Sequence, residues 1–76
     1  MGKSSLRNIL AENLRSYRKH AGVSQDEFAL HCGLHRTYIG SVEREERNVT
    51  LTTLEMLSHG SGISVPALLT KGGPVR

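Results

Sequence analysis

The stretch that decides the fold runs from residue 23 to residue 44 and reads VSQDEFALHCGLHRTYIGSVER. It predicts two short helices joined by a tight turn at residues 32–34, where Gly33 supplies the positive φ of a sharp corner. Ser24 followed three residues later by Glu27 is a capping box, which marks the start of the first of these helices. This pattern is typical of two helices that pack on each other across a glycine turn.

Helical periodicity continues on both sides of this pair. Before it, apolar residues recur at spacings of three and four from Leu6 to Ala21, and Gly22 ends that helix. After it, Thr50 caps a fourth helix and Ser64 caps a fifth. The predicted inward residues are Phe28, Ala29 and Cys32 in the second helix, Ile39 and Val42 in the third, and Leu51, Leu54 and Leu57 in the fourth.

The sequence therefore predicts an all-α fold of five short helices with no β-strand. We expect one domain over residues 6–70, with a flexible N-terminus at residues 1–5 and a flexible tail at residues 71–76. A chain of 76 residues buries a thin core, which leaves little room for a catalytic cleft or a large cofactor. We accordingly expect no enzymatic activity and no cofactor.

Cysteine content and hydropathy indicate the compartment. The single cysteine, Cys32, cannot form an internal disulfide, which favours a reducing cytoplasm. No run approaches the roughly 20 apolar residues of a membrane span, so we expect no membrane partner. The net charge of +3 is concentrated in residues 1–20, which carry five basic side chains and one acidic side chain. This mildly basic balance is compatible with nucleic acid but is a weak signal alone.

The third helix has a second face that is polar. With Ile39 and Val42 facing inward, its opposite face is expected to present an outward strip, which comprises Arg36, Thr37, Gly40, Ser41 and Arg44. Arginine can bond guanine O6 and N7 together, and threonine can offer both a methyl group and a hydroxyl group to a base. An isolated polar strip is more often a solvated face, but the helix-turn-helix arrangement favours double-stranded DNA as the partner.

A longer string of motifs resembles the lambda-repressor/Cro type of helix-turn-helix protein. The motifs are Ser24-Gln25, Phe28-Ala29, Gly33-Leu34, Arg36-Thr37-Tyr38-Ile39, Val42-Glu43-Arg44, Arg47-Asn48, Thr50-Leu51 and Thr53-Leu54. Within the string, the residues from Arg36 to Leu51 are most similar to controller proteins of restriction–modification systems. The resemblance implies a compact five-helix, lambda-repressor-like domain that acts as a homodimeric transcription regulator. Such a regulator would bind a palindromic operator upstream of its own gene and the endonuclease gene.

The resemblance also implies roles for individual residues. The expected base contacts are Arg36, Thr37 and Ser41. The expected contacts to the DNA backbone are Gln25, His35, Tyr38, Arg44, Arg47 and Asn48. Arg18 and Glu43 match a structural ion pair between the first and third helices. His35 departs from the family, which usually has Asp, Ser or Thr there, and Ser61 stands where the family usually has leucine.

Several alternatives stay open. The apolar residues Ile63, Val65, Leu68 and Leu69 exceed what a short fifth helix can bury, which predicts a homodimer interface, although some of them could close the monomer core. Asp26 and Glu27 are either first-turn acids favoured by the helix dipole or a contact for the sigma subunit of RNA polymerase. The rival functions are a phage or plasmid Cro-like repressor and an antitoxin-like module whose main partner is a protein.

Metal binding and catalysis are not favoured by the histidines near Cys32. His31 and Cys32 are adjacent on a helix and point apart, and no second pair of ligands completes a tetrahedral zinc site with His35. Cys32 and Ser24 have histidines nearby in sequence, but a thin helical domain offers no pocket that would orient a catalytic triad. We expect no metal site and no catalytic residue.

Overall fold

The computed structural model describes residues 5–73, and within that range the chain forms five α-helices and no strand. The helices are α1 (Leu6–Ala21), α2 (Gln25–Cys32), α3 (Arg36–Glu43), α4 (Leu51–Ser61) and α5 (Val65–Leu68). The predicted all-α, five-helix fold is confirmed. None of these helices is both long enough and apolar enough to cross a membrane.

Local residue chemistry sets the ends of the helices. The predicted capping box at α2 is confirmed, because Ser24 Oγ accepts from the Glu27 N–H at 3.0 Å and Glu27 Oε1 accepts from the Ser24 N–H at 3.0 Å. Thr50 and Ser64 cap α4 and α5, as predicted, by accepting from the Thr53 N–H and the Ala67 N–H. The turn between α2 and α3 depends on Gly33, which has a φ of 74° at the end of α2.

The two predicted flexible ends are only partly described. Residues 1–4 and 74–76 lie outside the described range. Of the remainder, Ser5 caps α1 by accepting from the Asn8 N–H at 3.1 Å. At the other end, the Gly73 N–H donates to the Thr70 carbonyl at 2.8 Å, so a turn follows α5.

The core lies where α1, α3 and α4 meet α2. Its largest fully buried side chains are Phe28, Leu14, Ile39, Leu57 and Leu68. The Phe28 ring packs against Tyr17 of α1 with 5.3 Å between the ring centroids. Helices α2 and α4 approach closely at Gly60, where a Cβ would overlap Cys32 Sγ and lie 3.0 Å from the Cys32 backbone nitrogen. This close approach brings α4 against the helix that supports α3.

Two predictions about apolar residues are wrong. Leu68, expected in a dimer interface, is 0% exposed because α5 turns it into the monomer core. Asn13 holds α5 there, since its Nδ2 donates to the Leu68 carbonyl at 2.7 Å and to the Thr70 carbonyl at 3.0 Å. Leu51, expected to face inward, is 78% exposed: it shares a helical face with the buried Leu54, but within residues 5–73 no other segment covers the first turn of α4.

Candidate nucleic-acid interface

The buried carboxylate of Glu43 fixes α3 against the rest of the molecule. Arg18 of α1 donates to it twice, from Nε at 2.7 Å and from Nη2 at 2.8 Å. Gln25 of α2 adds a third bond from Nε2 at 3.1 Å. The hydrogen bonds that Arg18 donates to Glu43 raise the pKa of its guanidinium above the ordinary value. Three helices therefore meet at one carboxylate, and the predicted partners Arg18 and Glu43 are in contact.

Arg15 is a residue that the sequence analysis missed. Its Nη1 donates to the backbone carbonyl of Glu43, at the last residue of α3. Arg15 and Arg18 are three residues apart on α1, so they lie on neighbouring positions of one helical face. That spacing is the signal that could have indicated a shared role. Both arginines hold the carboxyl end of α3 in place.

A hollow on the outer surface lies between the start of α2 and the length of α3. Its lining comprises Gln25, Arg36, Thr37, Gly40 and Arg44. Arg36, Thr37 and Arg44 are exposed, which leaves their polar groups accessible to a partner. The structure thus brings together four of the predicted DNA contacts and Gly40 of the outward strip.

Two of the exposed arginines already have acidic neighbours. Arg36 Nε lies 3.5 Å from Asp26 Oδ1, and both side chains are more than two-thirds exposed, at 69% and 68%. Arg44 Nε donates to Glu46 Oε2 at 3.1 Å, and this bond raises the pKa of Arg44. Because exposed ion pairs contribute little free energy, either arginine can exchange its carboxylate for another anion.

The expected exposure of Gly40 and Ser41 on the outward strip is wrong. Gly40 is buried beneath two long side chains, since a Cβ there would lie 3.1 Å from Arg44 Nη1 and 3.5 Å from Gln25 Oε1. Ser41 is only 7% exposed because the loop after α3 folds back over it. Its Oγ donates to the Tyr38 carbonyl at 2.8 Å and accepts from Arg47 Nε at 2.9 Å.

His35 occupies the cap position of α3. Its Nδ1 accepts from the Thr37 N–H at 3.3 Å, so a ring nitrogen takes the place of the usual capping oxygen. With Nδ1 as the acceptor of this bond, the donor of the ring is Nε2. The exposed Nε2–H is then available as a donor at the amino end of α3.

The loop after α3 carries the remaining predicted contacts. The Arg47 guanidinium carbon lies 4.7 Å from the centroid of the Tyr38 ring, a cation–π arrangement. Asn48 lies elsewhere, since it lines an apolar hollow with Leu6 and Leu69 between α1, α4 and the end of α5. The structure therefore groups Tyr38, Ser41 and Arg47 and leaves Asn48 apart.

The residues considered for metal binding do not converge. Within residues 5–73, no three His, Cys, Asp or Glu side chains are placed to hold a metal ion. Cys32 is buried against α4, and burial raises the pKa of its thiol to about 11. A protonated buried thiol packs as a small apolar group.

Comparison with known proteins identifies the family. The helix-turn-helix family model matches residues 14–68, which include all of α2 and α3. The control protein C.SmaI of Serratia marcescens is 59% identical over 68 residues, covering 90% of this chain and 81% of that protein. The chain belongs to the helix-turn-helix family of controller proteins.

Solved structures agree with this controller-protein family. The restriction-modification controller protein C.AhdI from Aeromonas hydrophila has a TM-score of 0.74 at 37% identity, covering 79% of this chain and 91% of that chain. A hypothetical transcription factor from Neisseria has a TM-score of 0.84 at 38% identity, covering 97% of this chain and 83% of that chain. The chain is a helix-turn-helix transcription regulator of the controller type, as the sequence motifs predicted.

Proposed function

We propose that this protein regulates a restriction–modification system by binding operator DNA with α3. The observation that carries the proposal is the hollow between α2 and α3, which places the exposed Arg36, Thr37 and Arg44 side by side on a controller-type scaffold. An α-helix fits the major groove of B-form DNA, where base edges can be distinguished. Arg36 and Thr37 lie in the first turn of α3 and are the proposed base contacts.

The other exposed polar groups fit a different role. Arg44 at the start of the loop after α3 and Arg47 within that loop are exposed cations, suited to phosphate oxygens. His35 Nε2–H and the Tyr38 hydroxyl are proposed as further phosphate donors. Gln25 keeps the same role through the exposed part of its amide, although its Nε2 also donates to Glu43. Ser41 is buried, so it is not proposed as a base contact.

A homodimer on a palindromic operator completes the proposal. Two copies would place their α3 helices in successive major grooves, about 34 Å apart. The proposed interface comprises Ile63, Val65 and Leu69, which are half-buried at the edge of the core.

The contacts of Asp26 and Glu27 in α2 favour one of the two interpretations of these acidic side chains. Asp26 lies beside Arg36, and Glu27 accepts from the Ser24 backbone in the capping box. Both side chains therefore have partners within the helix-turn-helix unit. This supports their interpretation as first-turn acids over a contact with the sigma subunit of RNA polymerase.

The direct test is a salt titration of DNA binding. Fluorescence anisotropy would compare the duplex upstream of the protein's own gene with a scrambled duplex of equal length and composition. We expect an affinity ratio of about a thousandfold or more at physiological salt. Equal, weak and steeply salt-dependent binding to both duplexes would contradict operator recognition and would favour the antitoxin-like alternative, in which the main partner is a protein.

A further inference from the structure

The Ser41 hydroxyl connects α3, the proposed recognition helix, to an arginine of the following loop. Oγ donates its hydrogen to the Tyr38 carbonyl at 2.8 Å and accepts from Arg47 Nε at 2.9 Å. A hydroxyl has one hydrogen, so with that hydrogen engaged on Tyr38 it meets Arg47 only as an acceptor. At 7% exposure, it is not placed to reach a DNA base itself.

The arginine is held at two points. Its Nε is bonded to Ser41, and its guanidinium carbon lies 4.7 Å above the Tyr38 ring. The side chain is exposed, and its terminal Nη atoms make no hydrogen bond to any other group in residues 5–73. The guanidinium plane is therefore fixed through Nε, while the N–H groups of the two Nη atoms remain available as donors to an oxyanion.

The backbone beneath this contact is fixed as well. The Glu46 N–H donates to the Ser41 carbonyl at 2.9 Å, and the Glu45 N–H donates to the Val42 carbonyl at 3.0 Å. These two bonds, with Glu45 at a φ of 64°, form a Schellman motif that ends α3. Both the carbonyl and the side chain of Ser41 thus set the path of the loop that carries Arg47.

We propose that Ser41 is a positioning residue that pre-orients Arg47 for a phosphate of the operator and contributes to DNA affinity without touching DNA. The inference rests on the proposed function, because it assigns the partner of Arg47 as DNA. A free arginine side chain loses considerable rotamer entropy when it is immobilised on binding. Pre-orienting the side chain in the unbound protein reduces that loss.

The test is a double-mutant cycle on operator binding, measured by anisotropy. Ser41→Ala should weaken binding about threefold to tenfold, the range expected for one net hydrogen bond. In the Arg47→Ala background, Ser41→Ala should not weaken operator binding further, because the arginine that Ser41 positions is then absent. Ser58→Ala, which removes a half-buried serine hydroxyl from α4, is the matched control and should leave affinity unchanged.

The salt dependence separates positioning from charge. Arg47→Ala should reduce the salt slope by about one unit, whereas Ser41→Ala should leave the slope unchanged because the cation is still present. A merely structural role for Ser41 would lower affinity equally in both backgrounds and would overturn the proposal. Wild-type affinity in Ser41→Ala would overturn it too.

Arg47→Lys keeps the test decisive if Ser41→Ala fails to fold. Lysine retains the charge but has no Nε–H that could bond Ser41 from within a guanidinium plane. We expect weaker operator binding than wild type, and wild-type affinity would overturn the proposal. Failure of the proposed function would look different, because wild-type protein itself would then not distinguish operator from scrambled DNA.

Discussion

The exposed arginines of the outward strip are held by weak partners. Arg36 faces Asp26, and Arg44 donates to Glu46, with all four side chains exposed to solvent. Such pairs contribute little to folding, since water and salt screen them. Exchange of these carboxylates for DNA would therefore cost the fold little, which suits the DNA contacts proposed for Arg36 and Arg44.

Arg36→Ala should reduce affinity for the operator by about 1–3 kcal/mol and relax the preference at one base pair. The reason is that a paired contact to a guanine edge is lost, while contacts to phosphates remain. Anisotropy with operator and scrambled duplexes measures the difference. Lys19→Ala, at an exposed position of α1, is the charge-matched control. An equal loss on both duplexes would show that Arg36 contacts only phosphate.

The Cys32 thiol makes the free energy of unfolding depend on pH in the alkaline range. Its pKa rises from an ordinary 9.0 to about 11 on folding, because burial disfavours the thiolate. Below pH 9 the thiol is protonated in both the folded and the unfolded state. Between pH 9 and about pH 11, only the unfolded chain loses the thiol proton. The free energy of unfolding should therefore fall across this window. Urea titrations at several pH values should show a smaller fall for Cys32→Ala, and identical pH dependence would contradict the assignment.

At the scale of helices, the end of α3 has an unusual residue. The left-handed position of the Schellman motif is normally glycine, but here it is Glu45, with a φ of 64°. Its Oε2 accepts from Asn8 Nδ2 of α1 at 3.0 Å. The carboxylate thus ties the loop after α3 to the first helix, and this contact accompanies the strained backbone.

Glu45→Gly and Glu45→Ala should differ in stability by about 1 kcal/mol, with the glycine variant more stable. Both variants lose the bond to Asn8, so the difference isolates the cost of a Cβ at positive φ. Chemical denaturation of both proteins provides the measurement. Equal stabilities would mean that this loop adopts another backbone conformation once the carboxylate is removed.

Gly60→Ala should destabilise the fold by about 1–3 kcal/mol, because the added Cβ would press α4 against Cys32 of α2. Helix propensity alone predicts the opposite sign, since alanine favours helix over glycine by about 1 kcal/mol. Thermal unfolding decides between the two effects. Ser58→Ala on the same helix should change stability by no more than about 0.5 kcal/mol. A stabilised Gly60→Ala variant would show that the two helices separate at little cost.

The helix ends were predictable from the sequence, whereas the burial of individual side chains by other segments was not. Ser24 and Thr50 cap their helices through bonds to residues three positions away, so the local pattern is enough. The exposure of Ser41, Leu51 and Leu68 depends on which distant segments pack over them. Helical periodicity assigns a face to each residue but cannot say whether a loop, another helix or solvent lies against that face.

At the scale of the whole molecule, one copy offers a single recognition helix. Over residues 5–73 one copy measures 34 × 24 × 18 Å, and successive major grooves on one side of B-form DNA lie about 34 Å apart, so one copy brings its α3 to only one of them. One copy alone would engage one half-site. In the proposed homodimer, tight operator binding would require both copies, which would link affinity to protein concentration.

Val65→Asp should convert the proposed dimer to a monomer, because a charge at the half-buried edge of α5 opposes an apolar interface. Sedimentation measures the mass, and circular dichroism checks that the helices remain. Leu68→Asp is unsuitable because Leu68 is fully buried in the monomer core. Leu30→Asp, at a 78% exposed position of α2, is the control and should stay dimeric. A Val65→Asp protein that sediments as a dimer would place the interface elsewhere.

The contrast between Glu43 and Arg36 has a consequence for how such regulators diversify. Glu43 is buried among Arg18 and Gln25, while Arg36 and Thr37 are exposed on the same helix. Exposed positions tolerate exchange with little change in stability. With Arg36 and Thr37 as the proposed base contacts, a lineage can therefore acquire a new operator preference by substitutions at the start of α3 while the architecture beneath is inherited intact. Two such systems could then share one cell without regulating each other's genes.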